Sequence, residues 1–513
     1  MPDSLCPVVA VHDPGAAYGP APFHPDRPYL ELGALGAVLD PSNTAYNLVR
    51  ASLACYDREN VGTDSWNPLG HIIKPGQRVV IKPNLVLHRR SGLQELTTHA
   101  SIIRCVLDYT CLALRGRGRV VVCDAPIQGA DFARLVTESG LDQVVALYRN
   151  HPNVEVLLID LRSEWARVDD ASAYIHERVS LPGDPAGNTQ FDLAAESALE
   201  PISGPGSHLA VGDYSSLFTS ENHQQGRHRY RFSNTVLEAD VVLNLAKMKT
   251  HQKAGITGAL KNVVGMNTSK DFLPHFRVGP PPRGDEFPKS AYNRLASRAK
   301  ASLQERIPLP LWRTLRFGAE TLQGLLRRRS GGDARYGLLS GSWEGNDTIW
   351  RMVIDINRIA RFGDRRGRLL STPQRTVYHF VDGIVAGEGE GPLRSTPRGI
   401  GLFMHGSDAA ALDALAAALM GFDPLLVPLL REASAIEHGL TAPGGPGAAS
   451  VLVNETLADR LRLDRHFGFA APRGWPSLGG SVPAGLLQSV GRRARTLPET
   501  GPQPQPQPQQ EHR

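Results

Sequence analysis

Short runs of β-branched and aliphatic residues, separated by longer amphipathic segments, constrain the fold of this 513-residue chain more than any other feature. Each run is nearly continuous in its apolar residues, which is typical of strands buried on both faces of a sheet that helices cover. The runs lie at residues 78–81, 120–122, 154–159, 241–243 and 377–381.

Helical patterns lie between and after these runs. Residues 99–114, 131–148 and 407–420 carry apolar side chains at helical spacing, and Gly421 provides a stop signal after the third pattern. Alternation of strand and helix predicts an α/β fold, with a mostly parallel sheet covered by helices. We expect one main domain over about residues 29–470.

Five regions are predicted along the chain. Residues 1–28 are rich in Pro and Gly and are expected to form an irregular N-terminal arm. The α/β core is divided into a first part, 29–271, and a second part, 338–470, by a Pro-rich and then basic helical insertion at 272–337. Residues 471–513 end in a Pro-Gln repeat that cannot bury apolar area, so they predict a largely disordered tail.

Charge and hydropathy exclude several classes of function. The net charge is only +5, and no zinc-finger, basic-zipper or RNA-recognition motif is present, so no nucleic-acid partner is predicted. The first residues lack the basic and apolar regions of a secretory signal, and no apolar stretch reaches the roughly 18 residues of a membrane span. We therefore expect a cytoplasmic protein, and the sequence does not indicate its oligomeric state.

The five cysteines are scattered, and none belongs to a C-x-x-C pair. The closest two, Cys105 and Cys111, fit neither a zinc ribbon nor a bacterial ferredoxin cluster. The set is typical of reduced cytosolic thiols, and no iron–sulfur cluster is expected.

The insertion contains a basic stretch at residues 289–329, which has ten Lys and Arg residues but only two acidic residues, Glu305 and Glu320. Leucines and isoleucines within it are spaced by about one or two helical turns, which predicts a basic amphipathic helix pair. Three interpretations stay open: a solvated surface, a lid over an anionic ligand, and a contact with a membrane surface.

Polar residues follow the apolar runs where each strand should end. Lys82 and Asn84 follow the first run, Asp124 follows the second, and Asn244 and Asp382 follow the later two. Ligands of parallel sheets bind beyond the carboxyl ends of the strands, because the crossover connections leave from that edge. The sequence therefore predicts that these side chains share one edge.

The segment from residue 247 to residue 261 concentrates cationic groups, namely Lys247, Lys249, His251, Lys253 and Lys261. An unpaired buried ammonium costs several kcal/mol. These groups are therefore expected to face solvent, to pair with structural carboxylates, or to bind an anion, either a phosphate or a carboxylate.

Lys249 and His251 are the predicted catalytic residues. Imidazole titrates near neutrality, and a lysine that is desolvated and crowded by cations becomes a usable base or Schiff-base nucleophile. The predicted substrate-binding residues are Lys82, Asn84, Asp124, Asn244, Lys247, Lys261, Asn262, Gly387 and Gly389.

Glycines and acids alternate between residues 382 and 392. Glycines let a backbone approach a ligand closely, and here they predict an open loop that carries Asp382, Glu388 and Glu390. These carboxylates could ligate Mg²⁺ or another hard cation, or could neutralise the lysines. Neither a Walker loop nor a Rossmann fingerprint is present, so a divalent metal is the one cofactor that the sequence suggests.

These segments together resemble the domain-of-unknown-function 362 family. The resemblance covers roughly residues 75–430, and its most specific element is Lys247-x-Lys249-x-His251 followed by Gly258-Ala-Leu-Lys261-Asn262. The supporting elements are Ile81 to Asn84, the turn at Asp124, residues 381–392, Asp413 in its apolar helix, and residues 421–424. Many relatives carry an added ferredoxin-type domain, from which this chain departs because its cysteines do not fit a cluster.

Three functions stay open from the sequence. The first is an enzyme that isomerises an anionic small molecule or moves a proton next to its charged group. The second is a non-catalytic binding or assembly module, with a membrane surface reached through residues 289–329. The third is a redox partner.

Overall fold

A large central sheet organises the chain. The computed structural model describes residues 8–88, 94–149, 154–168, 175–211, 216–287, 340–435, 438–441 and 450–497, with a few separate positions between 307 and 325.

The strands in chain order are β1 (Val8–His12), β2 (Arg78–Pro83), β3 (Gly118–Asp124), β4 (Val154–Asp160), β5 (Glu164–Val168), β6 (Ile175–Ser180), β7 (Asn188–Asp192), β8 (Leu209–Ala210), β9 (His223–Gln224), β10 (Arg227–Ser233), β11 (Val241–His251), β12 (Gly255–Thr257), β13 (Phe276–Arg277), β14 (Thr376–Glu390), β15 (Arg394–Gly406), β16 (Val451–Val453) and β17 (Arg495–Thr496).

The α-helices are α1 (Thr44–Leu53), α2 (Ala100–Leu114), α3 (Phe132–Glu138), α4 (Leu141–Ala146), α5 (Ser216–Asn222), α6 (Asn234–Leu237), α7 (Ala259–Asn262), α8 (Ile349–Phe362), α9 (Ala409–Met420), α10 (Pro428–Ala433), α11 (Glu455–Arg462) and α12 (Leu486–Arg493).

The central sheet has the strand order β17-β16-β1-β15-β14-β11-β2-β3-β4, and β12 adds a hairpin to β11. Strand β15 runs antiparallel to both of its neighbours, and β12 antiparallel to β11, whereas the other pairs of this sheet are parallel. The mostly parallel α/β sheet predicted from the apolar runs is therefore confirmed. Smaller sheets pair β7, β10 and β9, β8 with β13, and β5 with β6.

Apolar side chains alternate between the two faces of this sheet and enter two separate cores. Val80 and Val242 pack into the core that contains helices α8 and α9, whereas Val79 and Val241 pack into the core that contains α1 and α2. Burial of both faces explains why the strands read as continuous apolar runs.

The helices follow the predicted patterns, with one exception. Helix α2 begins after His99, whose Nδ1 accepts a hydrogen bond from the Ser101 amide, and α9 ends at Gly421 with φ of 101°. The pattern over 131–148 is divided into α3 and α4 at Gly140, where φ is +71°. The left-handed backbone of Gly140 interrupts the helix after α3, although the apolar pattern continues to residue 148.

Two predictions for the termini are wrong in part. Within the expected irregular arm, residues 8–12 form β1, which lies inside the sheet between β15 and β16. Within the expected tail, residues 471–497 include α12 and β17, and Trp475 is buried with its indole N–H donating to the Gln252 carbonyl at 2.7 Å. The Pro-Gln repeat, 498–513, lies outside the described residues.

The predicted insertion is described mainly at its base. Asp285 accepts hydrogen bonds from the Arg277 amide at 2.7 Å and from the Thr348 hydroxyl at 2.5 Å. The Ser340 amide donates to Glu286 at 3.1 Å, so the chain leaves and re-enters the core at adjacent points. The predicted basic helix pair and membrane contact at 289–329 fall, apart from a few separate positions, outside the described residues.

No helix within the described ranges is both long enough and apolar enough to cross a membrane.

Candidate functional site

Four adjacent parallel strands place the predicted site residues at one edge of the sheet. Strands β14, β11, β2 and β3 lie side by side. Asn244 of β11 is in register with Lys82 of β2, and Lys247 of β11 is in register with Asp382 of β14. The shared edge that the strand ends predict is therefore present.

The first part of this edge is a closed polar network around Lys82. Its ammonium donates to Asn262 Oδ1 at 2.8 Å and to the Pro83 carbonyl at 2.9 Å, and lies 2.9 Å from Asp124 Oδ1. Asp124 Oδ2 accepts from the Leu85 amide at 2.7 Å. The ammonium thus has three oxygen neighbours within 2.9 Å, and all three belong to the protein.

Two asparagines extend this network across the sheet. Asn262 Nδ2 donates to Asn244 Oδ1 at 2.8 Å, and Asn244 Nδ2 donates to the Ala259 carbonyl at 2.8 Å. Asn244 Nδ2 also lies 2.9 Å from His379 Nδ1. Both asparagines were predicted to bind substrate, but their amide groups hold the α7 segment against β2 and β14.

Burial disfavours the charged forms of Lys82 and Asp124. It lowers the pKa of Lys82 and raises the pKa of Asp124, and the mutual attraction of the two groups opposes both shifts. The pair therefore needs close geometry to stay ionised.

Gly265 is the point at which backbone covers this ion pair. A Cβ atom there would lie 2.0 Å from Asp124 Oδ1 and 2.5 Å from Lys82 Nζ. We expect Gly265→Ala to lower the free energy of unfolding by about 1–3 kcal/mol, measured by urea titration, because the pair would have to separate.

Gly204→Ala is the matched control for that substitution, because a Cβ atom there would have no neighbour within 4 Å. Its effect should stay within about 1 kcal/mol. Equal stability of the two alanine variants would contradict the role assigned to Gly265.

Asp413 fixes the loop that carries Lys261. Its carboxylate accepts the amides of Ala259 at 2.6 Å and Leu260 at 2.9 Å, and burial raises its pKa to about 7. A Cβ atom at Gly258 would lie 2.1 Å from Asp413 Oδ1, so only glycine allows this approach. Asp413, the acid in the apolar helix, is therefore turned toward the site, and its carboxylate binds backbone amides of α7.

A second ion pair joins β11 to β14. Lys247 Nζ lies 2.9 Å from Asp382 Oδ2, and both side chains are fully buried. Tyr18 donates to Asp382 Oδ1 at 2.6 Å and stacks on His99 with ring centroids 3.7 Å apart. Burial and the nearby Asp382 charge raise the pKa of Tyr18 well above its usual value.

Lys249, His251 and Thr257 share one face of the β11–β12 hairpin. Lys249 is directly opposite Thr257 in the antiparallel register, and His251 is two residues further along β11. The Lys249 ammonium is fully buried and donates to the Leu96 carbonyl at 2.5 Å. The Thr257 hydroxyl is buried and has no hydrogen-bond partner among the described residues. This face therefore offers polar atoms to a ligand.

Burial and neighbouring cations lower the pKa of Lys249 to about 7. Burial is the largest cause, followed by the charges of Lys247, Lys261 and Lys82, whereas Glu95 acts in the opposite direction. At neutral pH a large fraction of this amine is unprotonated, which suits a base.

The hydrogen bonds of His251 fix its tautomer. Nδ1 accepts the backbone amides of Lys253 at 3.0 Å and Ala254 at 3.2 Å, so the ring hydrogen of the neutral form is on Nε2. Burial and the nearby Lys261 charge lower the pKa of His251 well below its usual value. His251 is thus a neutral hydrogen-bond donor at neutral pH, which differs from the predicted role in proton transfer.

Lys261 and Lys270 complete the cationic cluster, which we define as Lys82, Lys247, Lys249, Lys261, Lys270, His251 and His275. Burial and the charges of Lys270, Lys82 and Lys253 lower the pKa of Lys261 to about 7. Burial likewise lowers the pKa of Lys270 to about 8, although Asp124 and Asp160 oppose that shift. No carboxylate of the described residues forms an ion pair with Lys261.

Asn84 and Glu95 border the cluster with unused polar groups. The Asn84 side chain is buried, and only its backbone is hydrogen-bonded among the residues that the structure describes, to Thr98. Glu95 is buried, and its Oε2 has no partner in the described part of the chain. Asn84 is the predicted substrate-binding amide that stays available.

The glycine-rich segment is not an open loop. Residues 382–390 belong to β14 and pair with β15, and a Cβ atom at Gly387 would lie 3.0 Å from Lys249 Cβ. Gly389 has φ of +77°, and its carbonyl accepts the Thr250 hydroxyl at 2.8 Å. These glycines allow close strand packing, and their backbone groups are used within the sheet.

The predicted metal ligands are likewise engaged elsewhere. Asp382 pairs with Lys247, Glu388 accepts from Arg398 at 2.6 Å, and Glu390 accepts from Gln252 at 2.6 Å. Among the described residues, no three His, Cys, Asp or Glu side chains come together as a metal site. The three carboxylates predicted to hold a metal are therefore not gathered into one site in the described structure, because each is bonded to a different basic or amide group.

Several residues of the edge lacked a sequence signal. Tyr18 and Glu95 come from irregular segments that carry no motif, and His275 and Lys270 lie beyond the matched lysine element. Thr257 was within the family motif, but only the hairpin register places it opposite Lys249.

Comparison with known proteins gives a family and two distant likenesses. Residues 79–179 and 202–418, more than half of the chain, match the family described as "Domain of unknown function (DUF362)". A thylakoid-associated protein of Synechocystis sp. is 21% identical over 367 residues, which are 71% of this chain and 68% of the relative. A crystal structure from Thermotoga maritima is 11% identical with a TM-score of 0.30, over 71% of this chain and 56% of that chain.

Proposed function

The chain belongs to the DUF362 family, and we propose that it binds an anionic small molecule, a carboxylate or a phosphate, at the cationic cluster and moves a proton to or from it. The observation that carries the proposal is the excess of buried cations over carboxylates at this edge. Lys82 and Lys247 each have an aspartate partner, whereas Lys249 and Lys261 form no ion pair among the described residues.

A bound anion would supply the missing charge. Buried ammonium groups without a counter-charge cost several kcal/mol, so an empty cluster sheds protons near neutral pH. A ligand carboxylate or phosphate favours the ammonium form and restores the charge balance. The Asn84 amide, the Thr257 hydroxyl and the His251 Nε2–H group add uncharged polar contacts at the same edge.

Lys249 is the group that we propose takes the proton. Its pKa of about 7 leaves much of the amine neutral at neutral pH, and its hydrogen bond to the Leu96 carbonyl holds its position. Lys261 is the group that we propose contacts the anion, because it is partly accessible and has no acid partner in the described structure. The Lys82 network and the Asp413–α7 contact hold these two lysines in place.

Anion binding should take up protons and weaken as pH rises. At pH 8 Lys261 is mostly neutral, and an anion in contact with it raises its pKa, so up to about one proton should enter with each ligand. At pH 6 this lysine is already mostly protonated and uptake should be small. Calorimetric titration of phosphate and of propionate in two buffers of different protonation enthalpy measures this proton number.

Lys261→Gln tests the residue assignment in the same titration. Loss of one charge-assisted contact should weaken anion binding at least about tenfold at pH 6. Lys74→Gln is the control, because Lys74 is exposed and lies before β2, and its affinity should equal that of the wild-type protein. Undetectable binding of both anions at pH 6, or undiminished binding by Lys261→Gln, would contradict the proposal.

A further inference from the structure

We infer that Lys261 is a nucleophile that forms an imine with the carbonyl group of its ligand, which makes the substrate an anionic aldehyde or ketone such as a 2-oxo acid. This inference rests on the proposed function, because it assumes that anions enter the cationic cluster. It adds the chemical class of the substrate and a covalent step.

Lys261 differs from the neighbouring lysines because its amine is partly accessible and has no hydrogen-bond partner among the described residues, whereas Lys270, which also lacks one, is buried. Lys82 and Lys247 are held by aspartates, and Lys249 donates to a carbonyl. Lys253 contacts the Ser340 carbonyl. Lys261 donates no hydrogen bond to a described residue and is partly accessible, while Asp413 fixes the backbone of its loop.

The charges around Lys261 favour the nucleophilic form of the amine. Lys270, Lys82 and Lys253 all repel its proton, and no acidic group among the described residues offsets them. The pKa of about 7 leaves a large part of the amine unprotonated at neutral pH, and only the neutral amine attacks a carbonyl.

Two neutral imidazoles, within electrostatic range of this amine, provide a donor and an acceptor. Lys261 is the charged group that acts most strongly on both His251 and His275. His251 carries its hydrogen on Nε2, as its Nδ1 contacts require. His275 Nδ1 lies 2.6 Å from the Leu273 carbonyl and so carries the hydrogen, which leaves Nε2 with a lone pair.

This pair of tautomers matches the two proton movements of imine formation. The Lys261 nitrogen attacks the carbonyl carbon, a C–N bond forms, and the carbonyl π electrons move to oxygen, which the His251 Nε2–H group stabilises. The nitrogen loses one proton to His275 Nε2, and the alkoxide takes up a proton from solvent to become the carbinolamine hydroxyl. Protonated His275 then protonates this hydroxyl, which leaves as water. The nitrogen lone pair forms the C=N bond, so one water is released and no oxidant or reductant is needed.

The imine also accounts for a base at Lys249. A protonated imine withdraws electrons from the adjacent carbon, so a proton there becomes acidic enough for an amine base to remove. The protonated imine at Lys261 carries a positive charge, which balances the ligand's own negative charge.

Reductive trapping tests the inference directly. The full-length protein is incubated at pH 7 with pyruvate and sodium cyanoborohydride, which reduces an imine to a stable secondary amine, and the modified lysine is located by peptide mass spectrometry. We expect the adduct at Lys261 to form at least tenfold faster than at the exposed Lys74. Mapping in the wild-type protein does not depend on the folding of any variant.

Lys261→Arg is the matched variant, since it keeps the positive charge and removes the nucleophile. It should lose the adduct, whereas Lys74→Arg, at an exposed position outside the cluster, should keep the wild-type rate of trapping at Lys261. Adducts confined to exposed lysines, or equal trapping in Lys261→Arg, would overturn the inference.

The two proposals fail differently. If propionate and phosphate bind at the cluster but pyruvate is not trapped at Lys261, the imine is refuted and the anion site remains. If neither anion binds and pyruvate is not trapped, both proposals are refuted.

Discussion

Replacing Lys82 with Met is expected to lower the free energy of unfolding by about 3–5 kcal/mol, because it removes one partner of a buried ion pair. The Asp124 carboxylate would stay buried with only the Leu85 amide as a donor, and Asn262 Oδ1 would lose the ammonium that lies 2.8 Å away. Methionine has a similar length, so the loss is mainly electrostatic. Urea titration followed by circular dichroism at pH 7 measures the change.

The double variant Lys82→Met/Asp124→Asn is the control. It removes both charges and keeps an oxygen for the Leu85 amide, and neutral replacements of buried pairs are often well tolerated. We expect it to recover at least half of the lost stability. If the single variant stayed within about 1 kcal/mol of the wild-type protein, Lys82 would not have the structural role assigned to it.

Replacing Lys249 with Met should have the opposite sign and raise the free energy of unfolding by roughly 2–4 kcal/mol at pH 6. Lys249 is fully buried, and three lysines and burial oppose its charge, so the folded state bears a cost that the unfolded chain avoids. Part of the gain is offset because the Leu96 carbonyl loses its donor. The variant should also lose proton transfer, whose readout is hydrogen exchange of a bound ligand in deuterated water.

The gain from Lys249→Met should disappear at high pH. Between about pH 7 and 10.5 the unfolded chain holds a proton on this lysine and the folded protein does not, so wild-type stability rises with pH over that interval. The stability difference between variant and wild type should therefore be largest below pH 7 and small near pH 10.5. Lys74→Met, at an exposed position, should show no such pH dependence, and destabilisation by Lys249→Met at pH 6 would contradict this account.

Opposite signs at Lys82 and Lys249 would separate a residue that holds the proposed site from the residue that we propose acts in it. Both are buried lysines in apolar strands, and the sequence predicts both as site residues. A side chain whose hydrogens are all used within the protein adds stability, whereas an unbalanced charge reduces stability and is kept for its chemistry.

The apolar runs predicted most of the central sheet because buried parallel strands need continuous apolar residues on both faces. Strand β1 was missed because its five residues are surrounded by Pro and Gly, and its place in the sheet depends on β15 and β16, which are distant in sequence. The β14–β15 hairpin was missed because alternating glycines resemble a loop until Lys249 and Ser395 are seen to pack against Gly387.

The position of the candidate site was predictable, but the roles of its residues were not. Strand ends identified the edge, yet pairing of Lys82 with Asp124 follows from the adjacency of β2 and β3, which no local pattern specifies. The His251 tautomer depends on two backbone amides of the hairpin turn, and the acids expected to hold a metal are bonded to Lys247, Arg398 and Gln252. Roles therefore follow from three-dimensional partners.

The hydrogen bond between Glu286 and Ser340 holds together the two points at which the chain leaves and re-enters the core. Because the two ends of the intervening segment are already hydrogen-bonded to each other, its length adds only closure entropy, about 0.6 kcal/mol for each doubling. Ser340 also accepts from Lys253 in the β11–β12 turn, two residues from His251. A longer or shorter connection at this point would therefore leave the sheet as it is, and its two ends would still meet beside the turn that carries Lys253.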